Sequence, residues 1–403
     1  MQKGHDRKRS RTSLGVTSYR PPLAGIRVLE LGSSVAGPAA ARLLADLGAD
    51  VVKVEPAEGD GLRTWGPPAA DGTSWWFKSH NRNKRFVQFD LHDPADRARV
   101  KRLALASDVI VENFRPGRLE EWGLGYEALR AENPRIIYAS ISGYGQDGPY
   151  RDRVGFGNIA ESMSGLRYVT GYPDRPPLRI GISLADELAA LHCVVGIQAA
   201  LIARERDGVG DYVDVSLLEA CMALTEGILP EYHALGLVRE RTGNMLAGIA
   251  GSNIYPTRDG KWIAIGANAN AIFRRFMRAI GRPELAADPR FAGNRERGEH
   301  IAEIDAMVAE WTRTLEAGEI AELLAKADVP AGPVYSVADI VADEQVRARG
   351  MIRHLEDDRG NRVATPGPVP RFRAHPTVAS HAARSVGADT PAVLAELEIG
   401  GTP

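Results

Sequence analysis

Apolar and polar positions change period repeatedly along the first part of the chain. Ile26–Leu31 is an apolar run of buried-strand character, and Gly37-Pro38 opens a helix of small residues. Gly48-Ala49-Asp50 then turns into a second apolar run that ends at Glu55. This order predicts a β-α-β unit, because parallel strands need a crossover long enough to hold a helix. Glu55 follows the Gly32–Gly37 loop by about twenty residues, where a dinucleotide site would place its ribose ligand. The loop, however, has two glycines where the fingerprint needs three at G-x-G-x-x-G spacing. A parallel sheet is predicted; a nicotinamide site is not.

The alternation continues. A loop rich in Gly, Pro and Trp covers residues 59–77. It is followed by a strand at Arg85–Asp90, a helix at Pro94–Ala106, a strand at Asp108–Val111, a helix near Tyr126–Ala131 and a strand at Arg135–Ser140. Such alternation over the first 145 or so residues describes a doubly wound α/β layer. Ser183–Arg206 has apolar residues at helical spacing and stops at Asp207-Gly208. Tyr212–Ser216 reads as a strand and Leu217–Leu235 as a helix. Beyond Leu235 the grammar changes. A small-residue loop at 243–253 precedes a hairpin, Ile254–Pro256 and Trp262–Ile265, around Asp259-Gly260. Helices are expected at Ala271–Ile280, Ile301–Arg313 and Ala317–Ala327. Strand-like pieces return at Pro333–Tyr335 and Met351–His354, before a Pro-rich extended tail. The predicted organisation is a basic, disordered tail (1–20), a large Rossmann-like domain (21–225 plus 331–403) and a small α+β domain (226–330).

Composition narrows the function. Fifty Lys and Arg oppose 52 Asp and Glu, a net charge of −2, which argues against a nucleic-acid surface. The one basic cluster, MQKGHDRKRSRTSLGVTSYR, lacks the apolar core of a secretory signal. No run of the sequence reads as a membrane span of about 20 apolar residues. Two cysteines, Cys193 and Cys221, give no disulfide framework and no zinc spacing, which fits a reducing, cytoplasmic setting.

Motifs of catalysis are scarce. The chain has no G-x-S-x-G elbow, no H-E-x-x-H, no P-loop and no carboxylate cluster at metal-ligand spacing. Its nine histidines share no pattern. A lone carboxylate is the remaining candidate. Asp186 stands in the first turn of the long helix, behind Ser183. There it serves either as a dipole-favoured capping residue or as a nucleophile. An aspartate, with an ordinary pKa of about 3.9, is already anionic at neutral pH and needs no base beside it to attack an acyl carbon.

Ordered blocks then accumulate: PLAGIRVLELGSSVAGPAAARLLADLGADVVKVE, GDGLRTWGPP, NRNKRFVQFDL, DVIVENFRPGRLEEWGLGY, NPRIIYASISGYGQDGPY, the LADELAALH segment and DGVGDYVDVSLLEA. From about Pro22 to about Glu398 the chain resembles the family III CoA-transferases, the CaiB/BaiF or formyl-CoA transferase-like group. The resemblance implies that Asp186 is the nucleophile, forming an aspartyl anhydride and then an aspartyl-CoA thioester. It implies a covering loop at 243–251 with Gly248 and Gly251. It implies CoA contacts at Val35, Ala36, Lys53, Lys84, Arg85, Asn113, Phe114 and Arg115. CoA and acyl-CoA are then substrates, with no tightly bound cofactor, no metal, no nucleic acid and no membrane. It also implies an interlocked homodimer.

Three positions refine this picture. Racemases of the same fold add a histidine about thirty residues before the aspartate; this chain has Phe156 there, with Gly157 beside it, and a phenyl ring carries no proton. Val35 stands where some of the transferases place a glutamine. Glu161 is either an acidic group near the site or a surface residue of a helix. GDGLRTWGPP is similar to the block of transferases that use succinyl-CoA and dicarboxylic acids, for which Arg63, Arg167 and Arg179 are candidate partners of a second carboxylate. An α-methylacyl-CoA racemase and a CoA-binding paralogue without turnover remain the alternatives.

Overall fold

The computed structural model describes residues 19–245 and 250–399, and these divide into two compact units. Residues 19–152, 189–215 and 351–399 make the first; residues 153–188, 216–245 and 250–350 make the second. Most of the basic tail thus lies outside the described residues. Its last two residues are docked on the first unit, where the Arg20 carbonyl meets His375 Nδ1 at 2.9 Å.

The first unit is built on a six-stranded sheet, ordered β3-β2-β1-β4-β5-β6. The strands are β1 (Arg27–Glu30), β2 (Asp50–Glu55), β3 (Lys84–Gln88), β4 (Val109–Glu112), β5 (Ile137–Ser142) and β6 (Tyr212–Ser216). Strands β1 to β5 pair in parallel, with Val28 opposite both Val51 and Val109. The apolar runs are continuous because the central strands are covered on both faces: Leu29, Val52, Val87, Ile110 and Tyr138 are all buried in one core. The Pro94–Leu105 helix starts where the sequence says it should. Asp93 caps it by accepting from Ala95 N, and Pro94 occupies its first turn. The tail beyond Met351 is more structured than its prolines suggest. It forms a hairpin of β10 (Ile352–Glu356) and β11 (Arg362–Pro366), then a helix, Thr390–Ile399.

In the second unit, β7 (Ser252–Pro256), β8 (Trp262–Gly266) and β9 (Ala331–Pro333) form an antiparallel sheet. Helices Asn270–Ala279, Ile301–Thr312 and Ala317–Lys326 pack on it through Phe273, Phe276, Ile304, Val308, Ile320 and Leu324. The predicted turn at Asp259-Gly260 is present, with Gly260 at φ +72° and Thr257 N bonded to Lys261 O.

The domain boundaries differ from expectation. Residues 153–188 and 216–225, expected in the large domain, belong to the second unit, because the helix Gly157–Met163 packs on the helix Leu217–Met222. Residues 331–350 follow β9 into the same unit. The expected single helix Leu217–Leu235 is two, Leu217–Met222 and Ile228–Leu235. Pro230 is the reason. Inside a continuous helix it would lack an N–H for the Glu226 carbonyl and would clash with it, and Glu226 takes φ +46° instead.

The Leu184–Asp207 helix runs across the sequence boundary between the units. By length and composition alone it passes for a membrane span, contrary to the reading of the sequence. Ala189, Ala190, Cys193 and Ile197 bury one side of it in the manner of a core helix. Leu191, Val195 and Ile202, spaced by four and seven residues on another side, are exposed.

Candidate active site

In an open α/β sheet, ligands bind beyond the carboxyl ends of the strands, where the strand order reverses. The reversal here lies between β1 and β4. A cavity of about 410 Å³ opens at that end. Leu31, Gly32 and Ser33 line it after β1, Pro56–Gly61 after β2, Phe89–His92 after β3, and Phe114 and Trp122 after β4. Asn113 fixes its central wall. Its Oδ1 accepts from Ser33 N at 2.8 Å and its Nδ2 donates to Ser33 O at 2.9 Å. The loop glycine comes close enough that a Cβ on Gly32 would lie 3.0 Å from Asn113 Oδ1. Glu112 orients the adjoining turn by accepting from Phe114 N at 2.7 Å and from the Ser140 hydroxyl. Burial pushes its carboxyl up to about 8, against the opposing Phe114 N–H. Phe114 stands edge-on to Trp122, centroids 5.7 Å apart, as does His92 at 5.3 Å. Phe114 thus lines the cavity, with Asn113 and the exposed Arg115 on either side of it in sequence.

Of the other expected CoA contacts, Lys53 also lines this cavity, while Val35, Ala36, Lys84 and Arg85 are not among its lining residues. Lys53 and Lys84 are fully buried and already neutralised. Lys53 Nζ reaches Glu30 at 2.8 Å and Asp60 at 2.9 Å, while Lys84 Nζ reaches Glu30 at 2.7 Å and the Pro38 carbonyl at 2.8 Å. Burial by itself would lower both ammonium groups. Asp60 and Glu30 more than offset it at Lys53, which is held above the usual lysine range, whereas Lys84 falls to about 8. Such a buried, mutually neutralised cluster ties β1, β2 and β3 together. Arg85 is engaged at the opposite end of the strands by Asp50 and Glu396. Val35 is buried with Leu62, Phe77, Phe86 and Ala383, and Ala36 is buried beside it. Glu55, considered first as a ribose ligand, holds Arg63 through both carboxylate oxygens at 2.9 and 2.6 Å. Arg63 also lies 4.0 Å over the Phe77 ring. Arg63 is 7% exposed and is thus engaged within its own unit.

The second unit holds Asp186. It is half-buried in the first turn of the Leu184–Asp207 helix. Gly157 faces it so closely that a Cβ there would lie 2.5 Å from Asp186 Oδ2. Burial raises the Asp186 carboxyl to about 6, with Glu161 and Glu187 adding to the effect and Arg179 opposing it. The group is still mostly anionic at neutral pH and more basic than an ordinary aspartate, a combination that suits a nucleophile. Cys221, also near, is no competitor, because burial and then Glu161 push its thiol up to about 11. Phe156 is exposed and in extended backbone, so the racemase histidine has no counterpart here.

Gly248 lies outside the described residues, but both ends of its loop are fixed. Gly243 donates to the Gly171 carbonyl at 2.8 Å. Gly251, at φ +82°, passes so near Ala267 that a Cβ would meet its carbonyl oxygen at 2.7 Å.

A half-buried aspartate in one unit and a switch-point cavity in the other agree with a match over residues 23–390 to the model of CoA-transferase family III. The chain belongs to CoA-transferase family III. Succinyl-CoA--D-citramalate CoA-transferase of Chloroflexus aurantiacus is 48% identical over 364 residues, covering 90% of this chain and 90% of that protein. The succinyl-CoA--L-malate CoA-transferase beta subunit of the same organism is 38% identical over 385 residues, covering 94% and 95%. A CaiB/BaiF family protein from Brucella suis, of known crystal structure, superimposes with a TM-score of 0.84 at 37% identity, covering 94% of this chain and all of that one. The protein is thus an enzyme of the transferase class whose members act on CoA thioesters.

Sequence reasoning missed one feature of this family III enzyme and left another open. Trp122 and His92 complete the aromatic rim of the cavity, and a Trp-Gly pair eight residues after Phe114 was the available signal. Glu161 is 2% exposed, not a surface residue, and is ion-paired to Arg167 at 3.1 Å. Its four-residue spacing from Gly157 was the clue.

Proposed function

We propose that the enzyme transfers CoA from succinyl-CoA to a dicarboxylic acid, with Asp186 as the covalent nucleophile. The relatives named above take succinyl-CoA as donor, which supports the donor assignment. One observation carries the assignment of Asp186. It is a carboxylate raised to about 6 by burial, facing a glycine whose missing Cβ leaves room for its Oδ2.

The chemistry needs no proton transfer. An Asp186 oxygen attacks the thioester carbon, the C–S bond breaks, and CoA thiolate leaves a mixed anhydride. The thiolate attacks the aspartyl carbon and expels succinate, giving an aspartyl-CoA thioester. The acceptor carboxylate attacks that carbon, the thiolate departs again, and a second anhydride forms. Thiolate attack on the acceptor carbonyl then releases the new acyl-CoA and regenerates the Asp186 carboxylate. Each addition makes a tetrahedral oxyanion that backbone N–H groups stabilise strongly; the loop from Gly243 to Gly251 is the proposed source. In the first unit, Asn113, Phe114 and Arg115 are the proposed CoA contacts.

Arg167 and Arg179 are the proposed partners of the acceptor's second carboxylate. The exposed row of Leu191, Val195 and Ile202 fits a second copy of the chain, and two buried free cysteines fit the cytoplasm. Borohydride reduction after succinyl-CoA addition should modify Asp186, as read by peptide mass. Asp186→Asn should abolish exchange of labelled succinate into succinyl-CoA; retained exchange would refute the mechanism.

A further inference from the structure

Glu161 presents an unusual imbalance. Its Oε2 accepts from both Nε and Nη2 of Arg167, at 3.2 and 3.1 Å. Its Oε1 is buried and accepts no hydrogen bond among the described residues. A buried carboxylate oxygen left without a donor is destabilising by about 1–3 kcal/mol, and native structures retain few such atoms without a reason. Arg167 is half-buried, and its ion pair with Glu161 is made through Nε and Nη2, which leaves Nη1 outside that pair.

The place of this pair gives the reason. Gly157 and Glu161 are four residues apart in the Gly157–Met163 helix and so share one face, about 6 Å apart. At Gly157 that face touches Asp186 Oδ2. Glu161 therefore stands about one helical turn from the nucleophile, within its electrostatic reach. A ligand held there meets a spare hydrogen-bond acceptor next to a spare guanidinium edge. An anion carrying a hydrogen-bond donor on the adjacent carbon satisfies both.

We propose that Glu161 and Arg167 form the acceptor-specificity subsite, binding the far end of a short 2-hydroxy dicarboxylate. The hydroxyl donates to Glu161 Oε1, the adjoining carboxylate pairs with Arg167, and the remaining carboxylate is the one presented to Asp186. The inference rests on the succinyl-CoA transferase reading and extends it. Two consequences follow: the acceptor's hydroxyl contributes to selection, and CoA is installed on the carboxyl remote from it. Glu161 touches substrate in this reading and takes no part in bond making.

The test uses the full-length enzyme with succinyl-CoA and, as acceptors, labelled succinate, malate, citramalate, glutarate and aspartate. The quantity read is the ratio of kcat/KM for malate to that for succinate, in which any general loss at Asp186 cancels. The wild type should favour malate at least tenfold, with the thioester on the carboxyl remote from the hydroxyl. Glu161→Met should collapse the ratio toward one, and Glu161→Gln, which keeps an acceptor oxygen, should lower it less. Arg167→Met should lower dicarboxylates relative to propionate, added as a monocarboxylate control. A ratio near one in the wild type, an unaltered ratio in both Glu161 variants, aspartate as the best acceptor, or a thioester beside the hydroxyl would each overturn the subsite. Absence of exchange even with labelled succinate would overturn the transferase reading itself, and the subsite with it.

Discussion

Gly157 and Asp186 are so close that a β-carbon on the glycine would stand 2.5 Å from the aspartate's Oδ2. The conflicting atom ends a short side chain, so an added methyl group would turn the carboxylate aside rather than displace backbone. Gly157→Ala is therefore expected to fold, with stability within about 1 kcal/mol of the parent. Its kcat should fall by about a hundredfold, because a nucleophile misplaced by about an ångström loses its attack geometry. Thermal unfolding together with steady-state kinetics checks both halves. A variant of normal activity would show that the room left by Gly157 is unimportant.

The raised pKa of Asp186 predicts two pH dependences of opposite sense. Attack needs the anion, so kcat/KM should rise with pH through about 6 and level off above it. Stability runs the other way. A carboxyl that binds its proton more tightly folded than unfolded favours folding at low pH and opposes it once the pH exceeds the folded value. Asp186→Asn should then be inactive yet more stable than the parent at pH 7.5, by about 1–2 kcal/mol. That advantage should disappear as the pH falls toward 4. Denaturant titrations at the two pH values provide the comparison.

How far the sequence carries can be judged from particular residues. The sheet was legible because Val28, Val51, Val109 and Ile137 lie in apolar runs with the strand period, joined by helical segments. Asp186 was legible as a nucleophile only through resemblance, since its position in a first turn equally suits a cap. The fate of Lys53 and Lys84 was hidden. A lysine at a strand end reads as a phosphate ligand until Glu30 and Asp60, 23 residues before and seven after Lys53, are seen to close on it. Glu161 was left open between two roles for a different reason. Its helix is only seven residues long, too short for periodicity to tell a buried face from an exposed one.

The lysine cluster makes its own prediction. Lys84→Met leaves Glu30 paired with Lys53 alone, in a fully buried setting. Breaking such a cluster is expected to cost about 3 kcal/mol, because an incompletely neutralised charge is left inside. The KM for acyl-CoA should change little in the fraction that folds. Arg115→Ala should do the reverse, raising that KM several-fold with no loss of Tm, since Arg115 is exposed and follows the cavity-lining Phe114. If Lys84→Met selectively weakened CoA binding in a protein of parental stability, the internal role assigned to Lys84 would be wrong.

Gly251 separates a structural requirement from a catalytic one. At φ +82° any other residue is strained, and its Cβ would press on the Ala267 carbonyl, a backbone atom with no freedom to turn away. The same stretch carries the Ala267 N to Gly251 O hydrogen bond that leads into β7, so strain there is transmitted to the edge of the sheet. Gly251→Ala should lower stability by about 1–3 kcal/mol and reduce kcat as the loop's anchor shifts. Gly243→Ala provides the contrast. Its Cβ would meet the Tyr172 ring at 2.8 Å, a side chain able to give way. The stability loss there should be smaller, and adding Tyr172→Ala should relieve the contact, leaving only the strain of φ +68°. Unfolding measurements on the two glycine variants and the double variant decide the order; equal losses, unrelieved at Tyr172, would show that backbone conformation alone governs both ends of the loop.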